Sequence, residues 1–371
     1  MLKWRTRRFG GDPERIQRLR REIATLATYD VGAGNLPEPA TPMLGREHEL
    51  EAVRELLGRS DVRLVTLSGP GGTGKTRLAI DAARSVRDRF PSGAYFVPLA
   101  PVRDPALVPA AIAETLGVQQ REGKSLEPLQ DFLRDKQLLL VLDNLEQVEA
   151  AGPQIAALLA SAPRVRALAT SRAVLGVPSE HEFPVPPLLE EGAVQLFVER
   201  ARSVDPDFQL DGAGEQTVGE ICRRLDGLPL AIELTASRVR LMSPGEILTR
   251  LEQPMEASPL EETISWSYEL LDADDQALLA RLSVFVGGCT LRAAEFVCGD
   301  GVVDVVAGIG SLVEKSLVRR DWGSTGEARV EMLETIREFA RERLAESHGP
   351  DRTERRLAEH CLAWRNARSR H

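Results

Sequence analysis

The apolar positions of this chain change period along its length. Four short, unbroken apolar runs, Val62 to Leu67, Ala94 to Leu99, Leu138 to Leu142 and Val165 to Thr170, fit strands buried on both faces. Helical stretches such as Thr76 to Val86 and Ile155 to Ser161 alternate with them, which predicts a parallel sheet covered by helices. After Pro187 the pattern is helical alone. Val218, Ile221, Cys222 and Leu225 mark one face of a helix that Gly227 and Pro229 terminate. Beyond Pro259, helices gather around Trp266, Leu278, Leu282 and Phe285. Leu317 to Arg320 and Arg329 to Met332 then flank the turn residues Asp321 to Gly326, so helices with a terminal hairpin predict a winged helix.

At the N-terminus, Asp12, Pro13 and Glu14 precede Ile16, Leu19, Ile23 and Leu26, the start signal and apolar stripe of a short amphipathic helix. Arginines at 15, 18, 20 and 21 surround the stripe and suit either a docking helix or a solvated arm. Residues 31–43 are rich in Gly, Pro and small residues and read as a linker. The predicted division is an N-terminal helix and linker over 1–43, a sheet domain over 44–188, a helical lid over 189–258, a winged helix over 259–346 and a helical tail over 347–371.

Composition narrows the class. The 371 residues suffice for two or three domains, and 43% hydrophobic with 28% charged residues is a globular balance. There is no run of roughly 18 apolar residues for a membrane span, and Met1 to Gly10 lacks a signal-peptide core, so a cytoplasmic protein without a membrane role is expected. Cys222, Cys289, Cys298 and Cys361 lie at no metal-site spacing and are expected as reduced, buried thiols. The net charge of -9 disfavours non-specific nucleic-acid binding.

The strongest chemistry lies between the first predicted strand and the helix after it. Gly69-Pro70-Gly71-Gly72-Thr73-Gly74-Lys75-Thr76 matches G-x-x-x-x-G-K-[ST] in the strand–helix context that a P-loop requires. The glycines let backbone N–H groups turn toward phosphate oxygens, and the helix N-terminus adds its partial positive charge. Lys75 is placed to reach the β- and γ-phosphates of ATP or ADP, Thr76 offers Mg²⁺ a hydroxyl, and Arg77 adjoins them. The run Leu138 to Leu142 ends in Asp143, at the strand tip where an open parallel sheet binds ligands, so Asp143 is the candidate Mg²⁺ carboxylate. Asn144 stands where many hydrolases carry a second acid, so hydrolysis should be slow unless Glu146 substitutes. Arg172, after the strand ending Thr170-Ser171, shares that rim and is a candidate γ-phosphate donor or a surface ion pair.

Taken together, Leu44-Gly45-Arg46-Glu47, the P-loop, LLLVLDN, ATSR and Gly227-Leu228-Pro229-Leu230 resemble the STAND class of signalling NTPases, and more narrowly the NB-ARC-like core of bacterial transcriptional regulators. The resemblance covers residues 44 to about 345 and rests on the order of five motifs. It implies an α/β P-loop NTPase domain, a parallel sheet flanked by helices, followed by an all-α helical subdomain and a winged-helix domain. It also implies that Gly45, Arg46 and Pro229 line an adenine pocket and that Arg172 senses the γ-phosphate. Val330 to Ala340 is similar to the end of that family's winged helix. There the better-known eukaryotic relatives carry Met-His-Asp, with the histidine on the ADP β-phosphate, whereas this chain reads Met332-Leu333-Glu334.

Family behaviour then implies a switch: ADP holds the domains closed, and exchange for ATP lets the helical and winged-helix parts swing away and expose an assembly surface. Slow ATP hydrolysis, and protein partners or self-assembly, are the corresponding expectations. The alternative is a DNA-binding regulator, but residues 261–346 hold seventeen Asp and Glu against nine Lys and Arg, the wrong sign for a surface on phosphates. A metabolic P-loop kinase is the remaining alternative, and nothing in the helical additions suggests its acceptor pocket. STAND proteins usually carry an effector domain before the core and a repeat sensor after it. Here residues 1–43 precede Leu44, and the tail after Asp351 reads either as the first helix of a repeat or as a solvated end.

Overall fold

The structure, a computed structural model, describes residues 34–39, 41–118, 126–178, 180–210, 212–252, 258–299, 304–322, 328–347 and 350–368. The expected N-terminal helix lies outside the described residues, as does most of the hairpin turn.

Five parallel strands form the sheet: β1 (Leu64–Ser68), β2 (Ala94–Pro98), β3 (Leu139–Asp143), β4 (Arg166–Thr170) and β5 (Glu180–Pro184), in the order β2-β3-β4-β1-β5. Every residue of β1 and β3 is buried, in keeping with continuous apolar runs under two helical layers. Four strands fall within two residues of the apolar runs that predict them. The fifth, Glu-His-Glu-Phe-Pro, has no apolar run because it is held at the sheet edge by polar pairs. Thr66 Oγ1 donates to Glu180 Oε1 at 2.6 Å and Ser68 Oγ to Glu182 Oε1 at 2.6 Å. The opposite edge is extended by part of the segment read as a linker. Gly34 bridges Ala94, and the Asn35 side chain both donates to Phe96 O (2.8 Å) and accepts from Phe96 N (2.5 Å).

Helix α1 (Glu47–Gly58) leads into β1, and α2 (Lys75–Ser85) leaves it. The helical subdomain comprises α3 (Glu190–Val204), α4 (Gly212–Arg224), α5 (Pro229–Ala236) and α6 (Pro244–Leu251). Helix α7 (Pro259–Glu269) starts at a capping box in which Ser258 and Glu261 satisfy each other's backbone N–H groups. The winged helix follows: α8 (Ala273–Leu282), α9 (Leu291–Cys298), α10 (Val305–Glu314), and β7 (Arg319–Trp322) and β8 (Ala328–Glu331), joined by the short strand β6 (Cys289–Thr290) in the order β6-β8-β7. Helix α11 (Glu334–Glu346) runs from the wing, and α12 (Pro350–Arg368) returns along α9, with Leu357 and Cys361 buried.

The hydrophobic core is partitioned. Separate clusters occupy the two faces of the sheet, whereas the helical subdomain, the winged helix and the start of α12 share one continuous cluster from Leu188 to Cys361. All four cysteines are free and buried, and burial pushes the thiols of Cys222 and Cys298 up to about 12. Among the described residues no helix is long and apolar enough to cross a membrane.

Candidate nucleotide-binding site

Because β4 lies between β1 and β3, the loop after β1 and the carboxylate at the end of β3 face each other across the tip of β4. The loop turns through left-handed glycines at Gly72 (φ 79°) and Gly74 (φ 89°), the latter preceding α2, and a side chain at either position would be strained. Lys75 opens α2, and its Nζ donates to Gly69 O and Pro70 O, each at 2.8 Å, so the ammonium is curled within its own loop. Burial lowers the Lys75 pKa, with Glu146 acting against the shift.

Asp143 Oδ1 accepts from Thr76 Oγ1 and from Thr170 Oγ1, both at 2.7 Å, and Thr170 Oγ1 in turn accepts the Asn144 N–H at 3.0 Å. Burial raises the Asp143 pKa against these two hydroxyls and Lys75. A buried carboxylate in contact with a hydroxyl at the mouth of a phosphate loop fits Mg²⁺, a hard cation that takes a few protein oxygens and completes its shell with phosphates and water. Thr76 and Asp143 are the residues that would hold it.

The other predicted residues divide. Arg46 is buried and donates to Glu49 Oε1 (2.9 Å), Thr73 O (3.2 Å) and Pro186 O (2.5 Å), so it braces the P-loop against the segment after β5. Gly45 (φ 64°) lies backbone to backbone against Gly192 of α3, where an added Cβ would come 2.7 Å from Gly192 Cα. Pro229 packs toward Gly74, and the next N–H, of Leu230, donates to Gly72 O at 3.3 Å, which sets the lid on the loop. Arg77 pairs with Asp81 at 2.8 Å and also donates to Thr41 O, so it ties α2 to the N-terminal segment.

Arg172 is at the rim, half exposed, donating to Glu338 Oε2 of α11 at 2.9 Å, with its Nε 3.7 Å from Glu146 Oε1. Gln147 Nε2 beside it donates to Glu334 Oε1 at 2.8 Å. A Cβ on Gly71 would lie 3.2 Å from Thr335 Oγ1, and one on Gly72 would lie 2.8 Å from Leu260 Cδ2. The phosphate loop is thus covered by the first turn of α11 and by the start of α7. Thr170, Gln147, Glu334, Thr335 and Glu338 escaped the sequence reading. The available signals were a hydroxyl at a strand tip two residues before Arg172, and two glutamates four apart on the helix after the wing.

Comparison with known proteins agrees with this architecture. Residues 46–201 match the NB-ARC domain and residues 271–345 a winged helix-turn-helix domain. The chain is 38% identical over 339 residues to an uncharacterised protein of Mycobacterium tuberculosis, the alignment covering 86% of each. It is 39% identical over 317 residues, 81% of this chain, to a longer protein of the same species provisionally named as an HTH-type transcriptional regulator, and spans 35% of that protein's length. The crystal structure of a STAND protein with a tetratricopeptide repeat sensor from Pyrococcus horikoshii superposes with a TM-score of 0.59 at 16% identity, over 88% of this chain and 46% of that one. The ordered motifs, the P-loop sheet, the winged helix and the relatives place this chain in the STAND class of P-loop NTPases, with the NB-ARC core found in bacterial regulators.

Proposed function

We propose that the chain is a nucleotide-operated switch that binds ATP or ADP with Mg²⁺ at Gly69 to Thr76 and Asp143, and whose controlled element is the winged helix seated on the P-loop. The observation that carries this reading is the seat itself: Thr335 against Gly71, Gln147 to Glu334 at 2.8 Å and Arg172 to Glu338 at 2.9 Å. A γ-phosphate is a stronger, doubly charged acceptor for a guanidinium than one exposed carboxylate, so it competes with Glu338 for Arg172. ADP offers no such competitor. The two nucleotides therefore differ in affinity for the closed and open forms, the sole way a ligand shifts such an equilibrium.

In this reading the closed state is locked differently from the Met-His-Asp relatives. Leu333, in the place of that histidine, packs on the shared apolar core, and Glu334 accepts from Gln147 and pairs with Arg337. The lock runs from domain to domain rather than from domain to nucleotide. Its polar seam parts at less cost than the continuous apolar core behind it. The output is a protein surface uncovered by opening, in regulation of transcription or in stress signalling, with slow hydrolysis, on the order of 10⁻⁴ to 10⁻² per second, returning the ADP state.

The name of the longer mycobacterial relative favours a second reading, DNA contact by the winged helix. Helix α10, the third helix of that domain, contains no Lys or Arg and one Glu, which weighs against a groove-reading role. Salt-sensitive duplex affinity in a filter-binding assay would revive it.

The decisive experiment is thermal melting with ADP and with a non-hydrolysable ATP analogue, each with Mg²⁺, alongside small-angle scattering. A nucleotide at a hundred times its Kd adds about 2.7 kcal/mol, and the Lys75→Ala variant should melt as a folded protein without that gain. Absence of any melt shift, with no heat of binding in calorimetry, would sink the switch. Equal scattering profiles with both bound nucleotides would remove the coupling.

A further inference from the structure

The residue after Asp143 is an amide, and an amide accepts no proton from water. Two positions further along the chain, Glu146 is a carboxylate on the same rim. Asn144 adopts the left-handed conformation (φ 64°), with its N–H fixed to Thr170, and turns the chain into a short 3-10 segment, Leu145–Gln147. That turn places Glu146 where it interacts electrostatically with Lys75, Asp143 and Arg172, in the space between the P-loop and the β4 tip. Its side chain is 15% exposed, and Oε1 lies 3.7 Å from Arg172 Nε. Oε2 is buried and accepts no hydrogen bond from any described residue. An ionised carboxylate oxygen is an acceptor only and is rarely left without a donor, so Oε2 is the acceptor left for a water that enters with nucleotide.

We propose, building on the nucleotide-switch reading, that Glu146 is the catalytic base of an ATP-hydrolysing site, binding the attacking water through Oε2. The water oxygen bonds to the γ-phosphorus, and the bond from that phosphorus to the β,γ-bridging oxygen breaks, its electron pair leaving with ADP. The water proton passes to the Glu146 carboxylate and from there to the released inorganic phosphate. Burial raises the Glu146 pKa, which strengthens it as a base, while its own backbone N–H, Lys75 and Arg172 oppose the shift. Because Arg172 also holds Glu338, the base and the winged helix share one cation, so closure and hydrolysis compete for it.

The test is single-turnover hydrolysis of ATP with Mg²⁺ by the whole chain, with the nucleotide that co-purifies identified by chromatography. Glu146→Gln should lose about 100-fold or more in rate while its Kd for ATP stays within about threefold, and it should co-purify with ATP where the wild type carries ADP. Glu146→Gly should regain hydrolysis on addition of formate, a rescue that a merely structural carboxylate would not give. Hydrolysis by the Gln variant within about threefold of wild type overturns the assignment, and so does a Gly variant that binds ATP and is not rescued. A wild type that binds ATP without turning it over also overturns it, while leaving intact the nucleotide-controlled opening of the switch and removing only its return by hydrolysis. A wild type that binds neither nucleotide removes both.

Discussion

Asp143 is a carboxylate sealed under the P-loop, and burial outweighs the two threonine hydroxyls and Lys75 that favour its charge. Its folded pKa lies above the unfolded value, so the folded chain binds the proton more tightly. Its contribution to stability is therefore largest below the unfolded pKa and is lost as pH rises through the folded one. Without cation the ionised form, which rising pH favours, is therefore the costly one. Asp143→Asn, whose amide oxygen can still accept from Thr76 and Thr170, should melt about 2 °C higher than wild type at pH 7 without Mg²⁺, and the gap should close toward pH 4. A variant that melts lower at pH 7 would show that the hydroxyl pair, not the buried charge, dominates. The same variant should lose the Mg²⁺-dependent part of nucleotide affinity, read by titration with and without the metal.

At the scale of elements, the approach of the Gly45 segment to α3 shows packing overriding propensity. Gly192 is the third residue of α3, where alanine would ordinarily strengthen the helix by up to about 1 kcal/mol. A Cβ there would come 2.9 Å from Gly45 Cα, backbone that cannot swing aside as a side chain tip can. Gly192→Ala should instead destabilise the chain by about 1–3 kcal/mol in urea denaturation, an overpacking cost that outweighs the helix gain. A neutral or stabilising result would mean that the N-terminal segment lifts from α3 readily. Gly245, near the start of α6, has open space around its Cβ position, so Gly245→Ala is the matched control and should be neutral or better.

Across the whole molecule, the seam between α11 and the P-loop rests on one half-exposed ion pair, one hydrogen bond and van der Waals contact at Gly71. An exposed pair is worth about 0.2–1 kcal/mol, so Glu338→Gln should raise ATP affinity by up to about fivefold, by freeing Arg172, and leave ADP affinity unchanged. Arg172→Ala removes both the latch and the proposed γ-phosphate contact and should weaken ATP more than ADP. Raising salt to about 0.5 M should shrink the Glu338→Gln effect, since the exposed pair is screened over a few ångströms. Calorimetric titrations of both variants at two salt concentrations test these statements together. Equal gains for ATP and ADP in Glu338→Gln would separate the ion pair from nucleotide choice.

What the sequence determined by itself is what depends on local rules. Buried parallel strands need continuous apolar runs, and four of the five were legible for that reason. A phosphate loop needs glycines and a lysine at fixed spacing, so Gly69 to Thr76 and the strand-tip Asp143 could be placed before any fold was known. β5 stayed hidden because Glu180 and Glu182 bind across the strand to Thr66 and Ser68, and a polar edge strand leaves no hydrophobic trace. Arg46, Arg77 and Arg172 could be named, but their partners could not, since a guanidinium's role is set by whichever oxygen the fold brings to it. The tertiary structure alone decided that Arg46 braces the loop, that Arg77 holds the N-terminal segment, and that Arg172 stands between Glu146 and Glu338, 192 positions apart in the chain. Those contacts join residues with no shared periodicity, and only the packing of the winged helix onto the sheet domain brings them within hydrogen-bonding reach.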